Sequence, residues 1–263
     1  MLSLYLIDSR SIDSDLFDSD QIDTGKKLQV GSHLEIGGSE ARHMVKVARH
    51  LVGDEVALSD GNGLMAKVRI SQIDRESVTV IVQEIENHSA PRITLCVIQA
   101  LTKSDRAHEC VELLVEAGVD EIIPWQSSRS VGKWKGQASH AKWSEWIRGA
   151  VKQSRRNRIP SLGELVSTYS DLNFNNQSTI LLAFDENSRN TLDSSLSTVL
   201  PNLEEIDRIV IVIGPEGGIT PEELASLSKM GAIILRLGGP VLRSAHAGAI
   251  ALGAIQSALS IWR

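Results

Sequence analysis

The chain carries the segment Ile213-Gly214-Pro215-Glu216-Gly217-Gly218-Ile219-Thr220-Pro221-Glu222-Glu223 in its last quarter. It follows Ile209-Val210-Ile211-Val212, a short run of β-branched residues that predicts a buried strand. It ends in a helix start, because Thr220 can cap free amides, Pro221 suits the first helical position and Glu223 completes a capping box. A glycine-rich loop between a strand and a helix is a common place for α/β sheets to bind small molecules. The segment therefore predicts an α/β domain with a ligand site.

Two familiar nucleotide-binding loops do not fit this segment. It lacks the G-x-G-x-x-G spacing of dinucleotide-binding domains, and no Gly-Lys-Ser/Thr follows it as in a P-loop. We therefore expect a ligand that is neither NAD nor a nucleoside triphosphate. The alternative is that the glycines serve only a tight turn between strand and helix.

A second strand and loop of the same kind follow. Residues 232–237 predict another buried strand, and the chain then runs Gly238-Gly239-Pro240-Val241-Leu242-Arg243-Ser244-Ala245-His246-Ala247 into a helix from about Ser244 to Ile261. Because both strands are expected to end at the same edge of a sheet, the two loops would form one pocket. Such a pocket suits a ligand with a flat, polar-edged ring. Its apolar walls would come from Ile213, Leu237, Val241 and Leu242.

These loops resemble those of a known family. The run Ile-Gly-Pro-Glu-Gly-Gly at 213–218, with Leu237-Gly238 and Leu242-Arg243-Ser244 before an alanine-rich last helix, is similar to the SPOUT class of knotted methyltransferases. Within that class the closest resemblance is to the ribosomal RNA small subunit methyltransferase E family, which methylates N3 of a uridine in 16S rRNA. The chain departs from the family in having no acidic residue at 240–247. Other segments that resemble the family are 43–49, 52–56, 99–106, 116–124 and 153–160.

The chain divides into two parts by its pattern. Residues 1–88 read as short strands with one helix over about 39–51 and a hairpin around 60–63, which suggests a small β-barrel. Residues 89–263 alternate strands and helices, which predicts an α/β domain with a mostly parallel sheet. The resemblance implies that the first part is a PUA-like, RNA-binding domain. It also implies that the second part is a SPOUT domain with a trefoil knot, which carries cofactor binding, catalysis and homodimerisation.

The charge is unevenly distributed along the chain. The net charge is −6, and residues 8–23 contain six aspartates. Residues 129–158, by contrast, hold nine basic residues and one acidic residue, a net charge of +8, which is enough to hold a phosphate backbone. The alternative is a solvated basic helix face. Only 4% of the residues are aromatic, so stacking platforms for unpaired bases are expected to be sparse. The candidate RNA contacts are Arg49, Lys103, Arg106, Arg129, Lys133, Arg155, Arg156 and Arg158.

Several classes of protein are disfavoured by the composition. Cys96 and Cys110 are isolated, which is typical of reduced thiols in a cytoplasmic protein. No signal peptide is evident, and the apolar stretch 247–262 is too short and too interrupted to span a membrane. The seven histidines show no ligand spacing, so we expect no metal.

The resemblance implies S-adenosyl-L-methionine as cofactor and 16S rRNA, or the small ribosomal subunit, as partner. Methylating N3 of uridine requires either a base or positive charge near the uracil oxygens. Arg243 is the candidate for charge stabilisation, although it could instead satisfy loop carbonyls. Glu216 is the candidate base, although it could instead fix loop amides; Asp105 and His246 are weaker candidates. The expected cofactor contacts are Leu182, Ala183, Phe184, Ile213, Gly214, Pro215, Glu216, Gly217, Gly218, Leu237, Gly238, Leu242, Ser244, His246 and Ala247.

Two other functions remain open at this stage. A non-catalytic RNA-binding protein would share the basic stretch and the barrel, but it would have no need of two glycine loops. An α/β enzyme that uses another nucleotide-like ligand would share the loops. Saturable binding of S-adenosylmethionine separates the methyltransferase from both.

Overall fold

A computed structural model describes residues 2–7, 28–168, 178–192 and 203–262 of the chain. The chain folds into two compact units. The first comprises Met1–Ala90 and Val151–Ile159, and the second comprises Pro91–Ala150 and Pro160–Arg263. The acidic segment 8–23, singled out in the sequence, lies outside the described residues.

The first unit is built on a five-stranded mixed sheet with the strand order β1-β3-β4-β5-β2. Strands β1 and β3 run parallel, and the other pairs are antiparallel. The residues that alternate inward from these strands form one apolar core around Tyr5, Met44 and Leu58. Its strands are β1 (Leu4–Leu6), β2 (His33–Ile36), β3 (Glu55–Ser59), β4 (Leu64–Ile73) and β5 (Val78–Asn87).

The helix of the first unit is shorter than the sequence suggests. Helix α1 (Gly38–Arg42) has Gly37 at its N-cap instead of Ser39, and a π-helical turn, His43–Val47, continues it. The amide of Ala48 still donates to His43 O, but Arg49 then adopts a φ of 58°. That left-handed conformation ends the helix before Leu51.

The predicted hairpin turn at 60–63 is present and has a second role. Gly63 N donates to Asn157 O at 2.9 Å, and Ile159 N donates to Gly61 O at 2.8 Å. The returning chain thus pairs with the turn between β3 and β4, which is why residues 151–159 belong to the first unit. Gly61 has a φ of 70°, and a Cβ there would strike the side chain of Ile159.

The second unit is an α/β domain, as predicted. Its sheet has the strand order β11-β9-β10-β6-β7-β8, and every pair of strands is parallel. Strands β6 and β10 are buried almost throughout because helices cover both sheet faces in such folds. The strands are β6 (Thr94–Ala100), β7 (Glu121–Trp125), β8 (Ser161–Leu162), β9 (Thr179–Phe184), β10 (Arg208–Ile213) and β11 (Ile233–Leu235).

α-Helices and one 3₁₀ turn lie between these strands in the described residues, and a further α-helix follows the last strand. The last helix ends at Ala258, earlier than the expected Ile261, and β11 is shorter than the expected 232–237. Both cysteines lie buried and unpaired in this unit, and burial raises the pKa of each thiol to about 12. The helices are α2 (Ser104–Glu116), α3 (Gln137–Ser154), α4 (Pro221–Lys229) and α5 (Ser244–Ala258), and the 3₁₀ turn is Leu203–Glu205.

The close approach at Gly132 yields a stability prediction. A Cβ at this position would lie 2.2 Å from Thr102 O and 3.0 Å from Leu101 Cβ, so backbone must move to admit it. We expect Gly132→Ala to lower the free energy of unfolding by about 1–3 kcal/mol, the usual cost of overpacking. Urea unfolding followed by circular dichroism measures the change.

Gly149→Ala is the matched control for this prediction. Gly149 lies in α3, and a Cβ there meets no atom within 4 Å. The same substitution should therefore stabilise the protein by about 0.5–1 kcal/mol through the better helix propensity of alanine. Equal destabilisation by both substitutions would contradict the argument.

Candidate active site

A cavity of about 330 Å³ opens at the carboxyl ends of β9, β10 and β11 in the second unit. Both glycine loops line the cavity, together with the chain that leaves β9. The cavity thus lies where parallel α/β sheets bind ligands. It is lined by Phe184, Asp185, Glu186, Ile213, Gly214, Pro215, Glu216, Gly218, Ile219, Arg236, Leu237, Gly238, Gly239, Pro240, Val241, Leu242, Arg243, Ser244 and Ala247.

The first glycine loop is held at its helix end by the predicted capping box. Thr220 Oγ1 accepts from Glu223 N at 3.2 Å, and Glu223 Oε2 accepts from Thr220 N at 2.9 Å. Gly218 has a φ of 73°, a conformation that glycine adopts without strain. The path of the loop into α4 is therefore fixed by local chemistry that the sequence displays.

A second loop packs on the first and was not foreseen. Glu223, which is 7% exposed, uses its other oxygen to accept from Ser128 N at 2.8 Å. Arg129 donates from Nη1 to Gly217 O, also at 2.8 Å. The segment after β7 thus clamps the glycine loop through one backbone amide and one guanidinium. Glu223, and not Glu216, is the carboxylate that fixes loop amides here.

The two glycine loops are joined directly through Ser244, the first residue of α5. Its hydroxyl donates to Gly214 O at 2.6 Å and accepts from Gln99 Nε2 at 3.2 Å. In the second loop, a Cβ at Gly238 or Gly239 would meet no atom within 4 Å. The backbone of this loop therefore faces open space inside the cavity, where a ligand can approach main-chain atoms.

Charged side chains of both signs line the cavity. Glu216 and Arg243 are exposed, and neither side chain forms an ion pair or hydrogen bond among the described residues. Arg243 stands at the N-cap of α5, and its carbonyl accepts from the amides of His246 and Ala247. Its guanidinium is thus available to a ligand.

Most of the expected cofactor contacts line the cavity, but four do not. Leu182 and Ala183 are buried in β9, and only Phe184 at the strand end reaches the cavity. Gly217 is absent from the lining, with its carbonyl bonded to Arg129. His246 also lies outside the lining, with Nε2 3.1 Å from Glu109 Oε1. Donation from His246 and from Arg106 lowers the pKa of Glu109.

The two glycine loops do not follow adjacent strands of the sheet. Strand β9 lies between β10 and β11, so its carboxyl end inserts a third wall. That wall supplies Asp185 and Glu186, which the sequence reading missed although they directly follow a predicted strand. Sequence reasoning also missed Ile219 and Arg236 as lining residues, whereas Gly239 and Pro240 lie in the second loop that it assigned to the pocket.

The basic residues proposed for RNA fall in both units. In the first unit, Arg158 donates to Asn62 Oδ1 at 2.8 Å and to His88 O at 2.7 Å, which holds the chain at the β3–β4 turn. Arg49 and Arg155 are exposed there, and Arg156 is partly buried. In the second unit, Lys103 and Lys133 are exposed, and Arg106 and Arg129 are engaged as described above. Contact of any of these residues with RNA stays a prediction.

The described residues contain no group of three or more His, Cys, Asp or Glu side chains that could hold a metal ion. Among the helices described, none has the length and apolar character needed to cross a membrane.

Two protein-family models together match most of the chain. An RNA methyltransferase domain matches residues 88–256, and an RNA methyltransferase PUA domain matches residues 36–83. Ribosomal RNA small subunit methyltransferase E of Mycobacterium tuberculosis is 32% identical over 240 residues, which cover 88% of this chain and 89% of that protein. The Bacillus subtilis protein of the same name is 28% identical and covers 88% and 93%.

Solved structures show the same fold. A methyltransferase of Legionella pneumophila in complex with S-adenosylmethionine has a TM-score of 0.76 at 25% identity, covering 89% of this chain and 95% of that chain. Ribosomal RNA small subunit methyltransferase E of Neisseria gonorrhoeae, bound to S-adenosyl methionine, has a TM-score of 0.81 at 22% identity and covers 98% of both chains. The predicted fold class, a PUA-like domain before a SPOUT α/β domain, is confirmed.

The parallel sheet, the cavity at its carboxyl edge and the family match define an RNA methyltransferase. Within that class, the chain belongs to the ribosomal RNA small subunit methyltransferase E family, as its sequence resemblance indicated.

The double role of Glu223 gives a prediction for the site. Glu223→Ala removes the acceptor for both Ser128 N and Thr220 N. Hydrogen bonds to charged groups contribute about 1.5–3 kcal/mol each, so we expect the loss of both to lower the free energy of unfolding by about 3–6 kcal/mol. Urea unfolding measures it, with the exposed neighbour changed in Glu222→Ala as the control. A loss in Glu222→Ala as large as that in Glu223→Ala would contradict the role of Glu223.

Proposed function

We propose that this chain transfers a methyl group from S-adenosyl-L-methionine to N3 of a specific uridine in 16S rRNA of the small ribosomal subunit. The observation that carries the proposal is the cavity formed by two glycine loops that Ser244 joins, in a chain of this family. A protein that only bound RNA would have no use for such a cavity.

The cavity fits the proposed cofactor in size and in chemistry. Its volume lies at the lower end of the range for small-molecule sites, and it has both apolar walls and exposed backbone. Ile213, Leu237 and Leu242 would hold the adenine ring, and the open backbone at Gly238–Gly239 would bond its polar edge. Asp185 and Glu186 supply acceptors for hydroxyl or ammonium groups. Bound there, S-adenosylmethionine supplies an activated methyl group on a sulfonium.

Arg243 and Glu216 are the two side chains proposed to act on the uridine. The N3 nitrogen becomes a good nucleophile only when it loses its proton, and positive charge beside the uracil oxygens favours that anion. Arg243 carries such a charge at the cavity wall without an internal partner among the described residues. Glu216, also in the wall, would accept the N3 proton.

The partners proposed are 16S rRNA, free or within the small subunit, and a second copy of the chain. Helix α5 supports a homodimer because Ile250 on it is 46% exposed. Trp262, which follows it, is 63% exposed. We propose a cytoplasmic location, where ribosomal subunits are found, and a reaction that needs no metal.

The experiment that tests this function measures binding and methyl transfer separately. We expect calorimetry to show saturable binding of S-adenosylmethionine, and the ligand to raise the melting temperature because it binds only the folded state. Incubation with labelled methyl donor and small subunits should then place one label on a single uridine of 16S rRNA. Binding without transfer would contradict the proposed reaction, and absence of binding would contradict the whole proposal.

The proposed charge stabilisation predicts the effect of Arg243→Ala. Loss of one such donor typically costs two to three orders of magnitude, and we expect turnover to fall by roughly tenfold to a thousandfold. Affinity for S-adenosylmethionine should stay within about threefold, and Arg243→Lys should recover part of the turnover because the charge is retained. Single-turnover methylation assays measure the effect. Wild-type turnover in Arg243→Ala would exclude this role.

A further inference from the structure

Three of the five tryptophans of the chain come together in the second unit. The ring centroids of Trp134 and Trp143 lie 5.4 Å apart at an interplanar angle of 73°, and those of Trp143 and Trp146 lie 6.4 Å apart. On the far side, His108 stacks on Trp146 with centroids 4.9 Å apart. A chain that is only 4% aromatic thus concentrates most of its indole rings in one cluster.

The rings differ in exposure: one is buried and supports the cluster, and another is partly exposed at the surface. Trp143, on α3, is buried, with 5% of its surface exposed. Trp134 lies in the loop before α3 and is only partly buried. Its edge-to-face contact with Trp143 is a favourable aromatic geometry that fixes the ring orientation. A partly exposed ring on a buried aromatic support can accept a further flat group.

Basic residues lie next to Trp134 in the sequence and against the neighbouring ring of the cluster. Lys133 and Lys135 flank Trp134 in the sequence, and both are exposed. Lys142 lies over Trp146, with Nζ 5.0 Å from the ring centroid. None of these three lysines forms an ion pair among the described residues, and residues 129–150 contain one acidic residue, Glu145. Positive charge here is free to meet an anion.

The same loop is anchored to the cavity at its other end. Arg129 donates to Gly217 O at 2.8 Å, and Gln126 Nε2 donates to Gly132 O at 3.1 Å. Arg129 and Trp134 are five positions apart in the sequence, so their Cα atoms lie within about 18 Å of each other. One short segment therefore connects the proposed reaction site to an aromatic and basic surface.

We infer that Trp134, Lys133 and Lys135 bind an unpaired stretch of the substrate RNA next to the modified nucleotide. A base stacks on the exposed part of Trp134, and the phosphates on either side meet the two lysines. Stacking on tryptophan beside cations is how proteins hold unpaired nucleic acid without reading its sequence. The inference rests on the proposed function in that the reaction site and this surface serve the same RNA.

The test uses the full chain and a short, unstructured oligouridylate as probe. We expect the probe to quench tryptophan emission and Trp134→Leu to weaken binding by about fivefold to a hundredfold, as loss of one stacked base does. Trp134→Phe keeps a stacking face and should bind within about threefold of wild type. Lys133→Ser/Lys135→Ser should lower the slope of log K against log salt by about 1.4, because about 0.7 is lost per phosphate.

Lys229→Ser is the control, since it removes an exposed lysine on α4, away from the loop that carries Trp134, and should leave binding of the probe unchanged. Affinity for S-adenosylmethionine, measured by calorimetry, should be the same in all variants, which separates loss of the surface from loss of the fold or of the cofactor site. Wild-type affinity for the probe in Trp134→Leu, or no binding of the probe by the wild-type chain, would overturn the inference. Failure of methyl transfer with these binding effects intact would instead count against the proposed function.

Discussion

The hydrogen bond from the Ser244 hydroxyl to Gly214 O connects the two loops that form the cavity. Ser244 has one hydroxyl proton, and that proton is used on Gly214. Gln99 must therefore donate to Ser244, which fixes the orientation of its amide. Its Oε1 is then left buried without a partner in the described part of the chain. An unpaired buried acceptor costs about 1–3 kcal/mol, so this arrangement trades stability for a defined loop geometry.

The first glycine loop is also restrained from the opposite side. Glu223 joins it to Ser128, and Arg129 holds the carbonyl of Gly217. Both contacts come from the loop after β7, which also carries Trp134. One segment of chain therefore both restrains the glycine loop of the cavity and carries Trp134 with its neighbouring lysines.

Interactions between residues that are close along the chain could be predicted from the sequence, and interactions between distant residues could not. The capping box of Thr220 and Glu223 spans three residues, and it was predicted correctly together with the strand before it and the helix after it. The hydrogen bond from Ser128 N to Glu223 spans 95 residues, and no local sequence pattern predicts it. Strand order is non-local in the same way, and no local pattern places β9 between β10 and β11. The low aromatic content likewise gave no indication of the tryptophan cluster, which forms where Trp134 packs against α3.

The surroundings of the two proposed catalytic side chains favour one route to the uridine anion. A carboxylate becomes a strong base when burial or a neighbouring negative charge disfavours its charged form. Glu216 is exposed to solvent at the cavity wall. Arg243 needs no such environment, because a guanidinium keeps its charge at any relevant pH. Its side chain has no hydrogen bond or ion pair among the described residues. Arg243 directly precedes Ser244, the residue whose hydroxyl connects the two loops. In the proposed reaction, positive charge at the uracil oxygens therefore lowers the free energy of the anion that forms when N3 loses its proton.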